Sequence, residues 1–296
     1  MKRRCSRRTL LGMGASTFAL GCRSSKSGEV VERESVPPPR RQVGGASARS
    51  DSGADVVRRV RILGHEVTWL GFSTVMLKLS DGRCLLIDPW LSFSGCPIKV
   101  DDIERLDAIL ISHGHWQHVG DAALLHKKTK APVIAVEEVS AWLRGQGVTA
   151  APKVNLGGTI DVAGLRISLT KASHSSGLLE SESGYISYGG DPAGFVVHLP
   201  GDVRIYHAGD TDVFSDMMLI RQRFAPQIGF LPIGDVTTMG PEGAAMAAEL
   251  LGLQVVIPMH YDLPEFTGTP EAFRYALQTR QIDADVRILS PGESLT

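Results

Sequence analysis

Apolar residues in this chain come in short runs, and several runs stop abruptly on a polar or ionisable side chain. Residues 67–79, Val-Thr-Trp-Leu-Gly-Phe-Ser-Thr-Val-Met-Leu-Lys-Leu, are rich in β-branched and apolar types. Asp81-Gly82 supplies a turn signal and Cys84-Leu-Leu-Ile-Asp88 returns, so the pattern predicts a hairpin. Further short strands are predicted at 108–112, 133–136, 165–170, 195–199, 203–206, 228–232 and 255–259. Helical patterns fall at 121–130, 137–145, 241–251 and 271–280. The third has Pro241 at its first position and Gly252 just past its end, and Thr269-Pro270 opens the last. A hairpin-rich start followed by mixed strands and helices predicts an α/β (α+β mixed-sheet) fold, with sheets packed together and helices outside.

Two segments lack this periodicity. In residues 1–22 a basic start (Lys2, Arg3, Arg4, Arg7, Arg8) precedes an uncharged, mostly apolar run from Thr9 to Gly21, which ends at Cys22. That order reads as a secretory signal, too short to span a bilayer comfortably. Ser6-Arg7-Arg8-Thr9-Leu10-Leu11 looks like a twin-arginine export motif, and Phe18-Ala19-Leu20-Gly21-Cys22 looks like a bacterial lipobox with Cys22 as the lipidated residue. Residues 23–60, with Pro37-Pro38-Pro39 and Gly44-Gly45, bury too little to offset their ordering entropy and read as a flexible tether. The expectation is an exported, periplasmic or cell-envelope lipoprotein that touches the membrane only through its anchor, with its chemistry in residues 61–296.

Charge sharpens once these parts are separated. The whole chain carries −1, but residues 1–21 hold five basic and no acidic groups and residues 23–60 hold eight basic and five acidic, which leaves −9 on residues 61–296. An acidic domain argues against nucleic acid as a partner, because that affinity rests on Lys and Arg neutralising phosphates. A small-molecule substrate is the alternative. Cys84 and Cys96 are the cysteines of this part; Cys84 reads as a buried thiol, and a disulfide between the two is open.

The candidate chemistry sits where strands stop. Ile109-Leu-Ile-Ser-His-Gly-His-Trp-Gln-His118 puts His113, His115 and His118 just past an apolar run, and the chain has only 9 histidines. Imidazole suits zinc and its neighbours, and it binds as the neutral base. Three more strands run toward a ligand type: 165–170 toward Ser173-His174, 203–206 into His207-Ala-Gly-Asp210, and 255–259 into His260. Ligands on loops at one edge of a sheet scaffold are a recurrent arrangement. His65, His126 and His198 read as surface or strand residues without a role.

H-G-H-x-x-H, a lone His, H-A-G-D-T and P-M-H together resemble the metallo-β-lactamase fold superfamily. Within it the chain is similar to the uncharacterised metal-dependent hydrolases related to L-ascorbate-6-phosphate lactonase and to the phospholipases D acting on N-acyl phosphatidylethanolamine. Trp69-Leu-Gly-Phe-Ser-Thr74, Leu86-Ile-Asp-Pro-Trp-Leu91, Pro232-Ile-Gly234, Thr238-Met-Gly-Pro241 and Pro258-Met-His-Tyr261 carry the resemblance across most of 65–296. It implies a four-layer αβ/βα sandwich with the site at one edge. It also implies that His113, His115 and His174 bind a first ion, that His118 and His260 bind a second, and that Asp210 bridges them. Zinc is the expected metal, as one or two ions, with Mn2+ or Fe2+ as alternatives. Asp210, Gln117 and His207 are the catalytic candidates, and Asp88, Asp121 and His207 are placed to orient ligand imidazoles.

Two positions depart from that family's pattern. Gln117 stands where Asp is usual, and Phe72 stands where His is common. A Gln carbonyl can face a metal, but it carries no charge and is no base near neutral pH. The second ion is therefore expected to bind weakly or not at all. The leading reading is an exported hydrolase that uses a metal-activated water on a small ester, lactone, amide or phosphoester. The alternative is a degenerate metal- or ligand-binding relative without turnover.

Overall fold

The computed structural model describes residue 62, residues 64–180 and residues 184–295. The signal, the tether and Cys22 lie outside the described residues. Strands run in chain order as β1 (Glu66–Gly71), β2 (Thr74–Lys78), β3 (Cys84–Ile87), β4 (Ala108–Leu110), β5 (Val133–Ile134), β6 (Thr159–Val162), β7 (Leu165–Lys171), β8 (Gly177–Leu179), β9 (Ile186–Tyr188), β10 (Ala193–Leu199), β11 (Val203–His207), β12 (Ile228–Pro232), β13 (Val255–Met259), β14 (Asp285–Val286) and β15 (Ser294–Leu295). Helices are α1 (Trp116–Val119), α2 (Ala122–Thr129), α3 (Glu137–Gly145), α4 (Met217–Phe224), α5 (Pro241–Leu251) and α6 (Pro270–Thr279).

One sheet has the order β15-β1-β2-β3-β4-β5 and the other β14-β13-β12-β11-β10-β7-β6. Both are mixed: β3, β4 and β5 pair in parallel, as do β11 through β14, and the remaining pairs are antiparallel. Strands β3, β4, β12 and β13 are buried at every residue, so alternate side chains on both of their faces are covered. Side chains from both sheets share one apolar core, and helix α5 packs on β12 and against α4 and α6. That is the mixed α/β sandwich expected from the pattern. The small hairpin β8–β9 stands apart as a third, two-stranded sheet.

The predicted hairpin over 67–88 is a three-stranded meander. Its first run breaks at Phe72-Ser73, where Phe72 adopts φ +50° after Gly71 at φ +102°. An unbroken apolar run hides such a turn, because the turn residues are as buried as the strands they join. Burying Phe72 is worth about 1.5–3 kcal/mol, enough to offset the roughly 1–3 kcal/mol of a left-handed, non-glycine backbone. Cys84 and Cys96 are both buried and free, so no disulfide joins them. His65 and His126 are also buried rather than on the surface. His65 Nδ1 accepts from Ser80 N at 3.1 Å, and His126 Nδ1 donates to the Ala131 carbonyl at 2.8 Å, so both are fastening residues of the fold.

Candidate metal centre

Chain segments that leave the strands at one edge converge on Asp210. The loop after β4 and helix α1 bring His113, His115 and His118. The loop after β7 brings His174, the one after β11 brings Asp210, and the one after β13 brings His260. The groups fall into two sets that share the carboxylate: His113, His115, His174 and Asp210, and His118, Asp210 and His260. Within each set the ligand atoms lie within 4.8 Å of one another. Asp210 Oδ2 is 3.0 Å from His260 Nε2, 3.2 Å from His118 Nε2, 3.7 Å from His174 Nε2 and 3.8 Å from His113 Nε2. His115 turns its Nδ1 inward, 2.9 Å from His113 Nε2 and 3.4 Å from His174 Nε2.

This donor set fits divalent metal. Five imidazoles and one carboxylate crowd together, with no lysine or arginine among the described residues paired to them. The second oxygen of Asp210, Oδ1, is buried without a hydrogen-bond partner. A buried carboxylate oxygen left unclaimed costs free energy unless something else coordinates it. Nitrogen and carboxylate donors at this spacing suit zinc-class ions.

The charges agree. Burial alone would raise Asp210, but His118 and His260 beside it hold its carboxyl well below the usual range. Burial works against a charge on His118 too, yet the carboxylates of Asp210 and Asp88 outweigh it and lift the imidazolium to about 10. Burial and the neighbouring imidazoles push His113 well below its ordinary value and His115 down to about 4. Burial likewise lowers His174, against the pull of Asp210. Burial favours the neutral form of those three, the form that can bind metal, whereas its two carboxylate neighbours favour the charged form of His118 in the metal-free cluster.

Asp88 holds the cluster in place. Its Oδ2 accepts from His118 Nδ1 at 2.8 Å and from Ser112 Oγ at 2.6 Å, and its Oδ1 accepts from Ser112 N at 2.7 Å. This fixes which His118 nitrogen faces Asp210. Asp121 serves differently: its Oδ2 accepts from Ser92 N at 2.8 Å and ties down the loop after β3. His207 has both ring nitrogens engaged by backbone. Nε2 donates to the Ser73 carbonyl at 2.9 Å and Nδ1 accepts from Gly209 N at 3.2 Å. Gln117 is half-buried on α1 beside His118, and its side chain hydrogen-bonds no described residue.

Phe72, marked in the sequence only as standing where the resembling family has His, forms a turn that anchors the site. Its carbonyl accepts from His260 N at 2.9 Å and from Trp69 Nε1 at 2.9 Å, so one backbone oxygen anchors a ligand to the core. Its ring lies 4.1 Å from His260 and 5.6 Å from His118, centroid to centroid. Phe72, Asp88 and His260 all have left-handed φ, at +50°, +47° and +55°. Strained backbone of this kind concentrates at functional sites, where the surrounding structure imposes it. The sequence signal available was Gly71 followed by a bulky residue in a position where the resembling family has His.

Comparison with known proteins follows the same lines. Residues 83–261 match the model of the beta-lactamase superfamily domain. A UPF0173 metal-dependent hydrolase of Solibacter usitatus is 42% identical over 229 residues, covering 77% of this chain and 98% of that protein. A UPF0173 metal-dependent hydrolase of Methanopyrus kandleri is also 42% identical over 229 residues, with the same 77% and 98% coverage. Among solved structures, Igni18, a metallo hydrolase from Ignicoccus hospitalis, is 32% identical with a TM-score of 0.68, covering 78% of this chain and 97% of that one.

Proposed function

This chain belongs to the UPF0173 metal-dependent hydrolases of the beta-lactamase superfamily, and from that premise we propose that it hydrolyses a small ester, lactone, amide or phosphoester with divalent metal, zinc expected, which His113, His115, His174 and Asp210 would hold, with His118, Asp210 and His260 as a weaker second set. The observation that carries this reading is the pair of donor sets with one shared carboxylate. Ions held there would polarise the attacked carbonyl or phosphoryl group and make a water molecule acidic enough to ionise near neutral pH. The chain supplies the rest. Asp88 fixes the His118 ring, and Phe72 covers the His118–His260 side and keeps water from it. His115 and His174 are the partly exposed ligands, so substrate approaches from their side.

The first set offers four donors, while the second offers three and lacks a carboxylate of its own because position 117 is Gln. The first ion is accordingly held more tightly than the second. Elemental analysis during stepwise chelation tests this: one ion should leave well before the other, and Gln117→Asp should raise both the retained metal and the rate on an ester panel. Two ions lost together, with no gain from Gln117→Asp, would sink the proposed inequality. The signal-like start and Cys22 support export as a lipoprotein. Cell fractionation and mass of the processed N-terminus check that separately, with Cys22 expected as the lipidated first residue.

A further inference from the structure

Trp116 opens helix α1 and stands between two ligands, His115 and His118. Tryptophan usually hides most of its large apolar surface, yet this one is 54% exposed. Its ring meets Trp90 edge-on at 4.7 Å, Trp90 meets Phe72 edge-on at 5.1 Å, and Phe72 lies against the His260 and His118 rings. Phe93 supports Trp90 from another side, at 4.7 Å. A continuous chain of aromatic contacts therefore runs from the ligand imidazoles to solvent. Gly114, the residue before His115, lies close to Leu178 of hairpin β8–β9, and its N donates to Ser176 Oγ at 3.0 Å.

Resting on the hydrolase reading, we propose that Trp116 forms the outer end of a substrate wall that binds the aryl group of an ester. Hydrolysis of such an ester needs no partner but water. The water oxygen bonds to the acyl carbon, the acyl C–O bond breaks, and the phenol oxygen leaves with the electron pair and gains a proton.

Acetophenone, a neutral aryl ketone that cannot be hydrolysed, separates binding from turnover. NMR titration of the zinc-loaded full chain should show a Kd about tenfold weaker in Trp116→Ala than in wild type, and within about threefold of wild type in Trp116→Phe, at equal zinc content. In a pH-stat assay Trp116→Ala should lose about tenfold in kcat/KM on phenyl butyrate while ethyl butyrate changes less than about threefold. Equal acetophenone affinity in wild type and Trp116→Ala, or an equal loss of kcat/KM on phenyl and ethyl butyrate, overturns the proposal. Should Trp116→Ala lose zinc, Trp116→Gln at wild-type zinc content decides: a tenfold loss of acetophenone affinity supports the proposal and wild-type-like binding overturns it. Turnover of neither ester contradicts the hydrolytic reading on these bonds, and the acetophenone result still decides the role of Trp116.

Discussion

Candidate ligands His113, His118 and His260 are each held by a neighbour that the ligand motif alone does not name. Asp88 is the strongest case, because a single carboxylate takes the His118 ring, the Ser112 hydroxyl and the Ser112 amide. Asp88→Asn keeps the shape but removes the charge and one acceptor. It should weaken metal binding by about 10–100-fold, chiefly at the His118–His260 set, in a competition titration against a chromophoric chelator. Unchanged affinity would show that His118 does not depend on Asp88 for its orientation. The histidines themselves were readable because imidazole is scarce in the chain and four strands stop close to one. The anchoring of His260 was not readable. It depends on the Phe72 carbonyl, and every residue has a carbonyl. Asp121 and His207 looked like equal partners of the ligands in the sequence, yet hydrogen bonds give them to Ser92 and to backbone groups.

Elements with a strong internal pattern came through with their ends nearly intact. Helices α3 and α5 and strands β12 and β13 have the bounds that periodicity predicts. Pro241 and Gly252 mark the ends of α5 by backbone geometry rather than by packing. Short and edge elements were missed: β6, β8, β9, β14, β15, α1 and α4 have two to eight residues each and little periodicity to read. The connection between α1 and α2 shows how such an element is fixed. Gly120 ends α1 at φ +40°, and a Cβ there would overlap the Pro89 carbonyl. The same loop is held by Asp121 N donating to Pro89 O at 2.7 Å. Gly120→Ala should therefore cost about 2–4 kcal/mol of stability, read as a lower midpoint in urea unfolding of the zinc-loaded protein. A midpoint within error of wild type would mean the loop yields without strain.

At the scale of the molecule, two sheets with helices outside bring six candidate ligands on four chain segments to one edge, an arrangement that would link metal binding to the fold. Stripped of metal, the protein should show that linkage through pH. His115 is depressed from 6.5 to about 4, so its contribution is whole above pH 6.5 and is lost as pH falls toward 4. His118 is raised from 6.5 to about 10, so its contribution is whole below pH 6.5 and is lost as pH rises toward 10. The melting temperature of chelated protein should peak near the histidine value and fall on both sides. Added zinc should flatten the alkaline limb, because bound metal takes the place of the His118 proton. A chelated protein with constant melting temperature from pH 6.5 to 9.5 would contradict the strong pairing of His118 with its two carboxylates. The central claim, two ions sharing Asp210, is tested most directly by anomalous diffraction at the zinc edge from zinc-loaded crystals. It predicts a strong peak among His113, His115, His174 and Asp210, and a weaker one among His118, His260 and Asp210. No peak touching Asp210, or a single peak on the His118–His260 side, would contradict it.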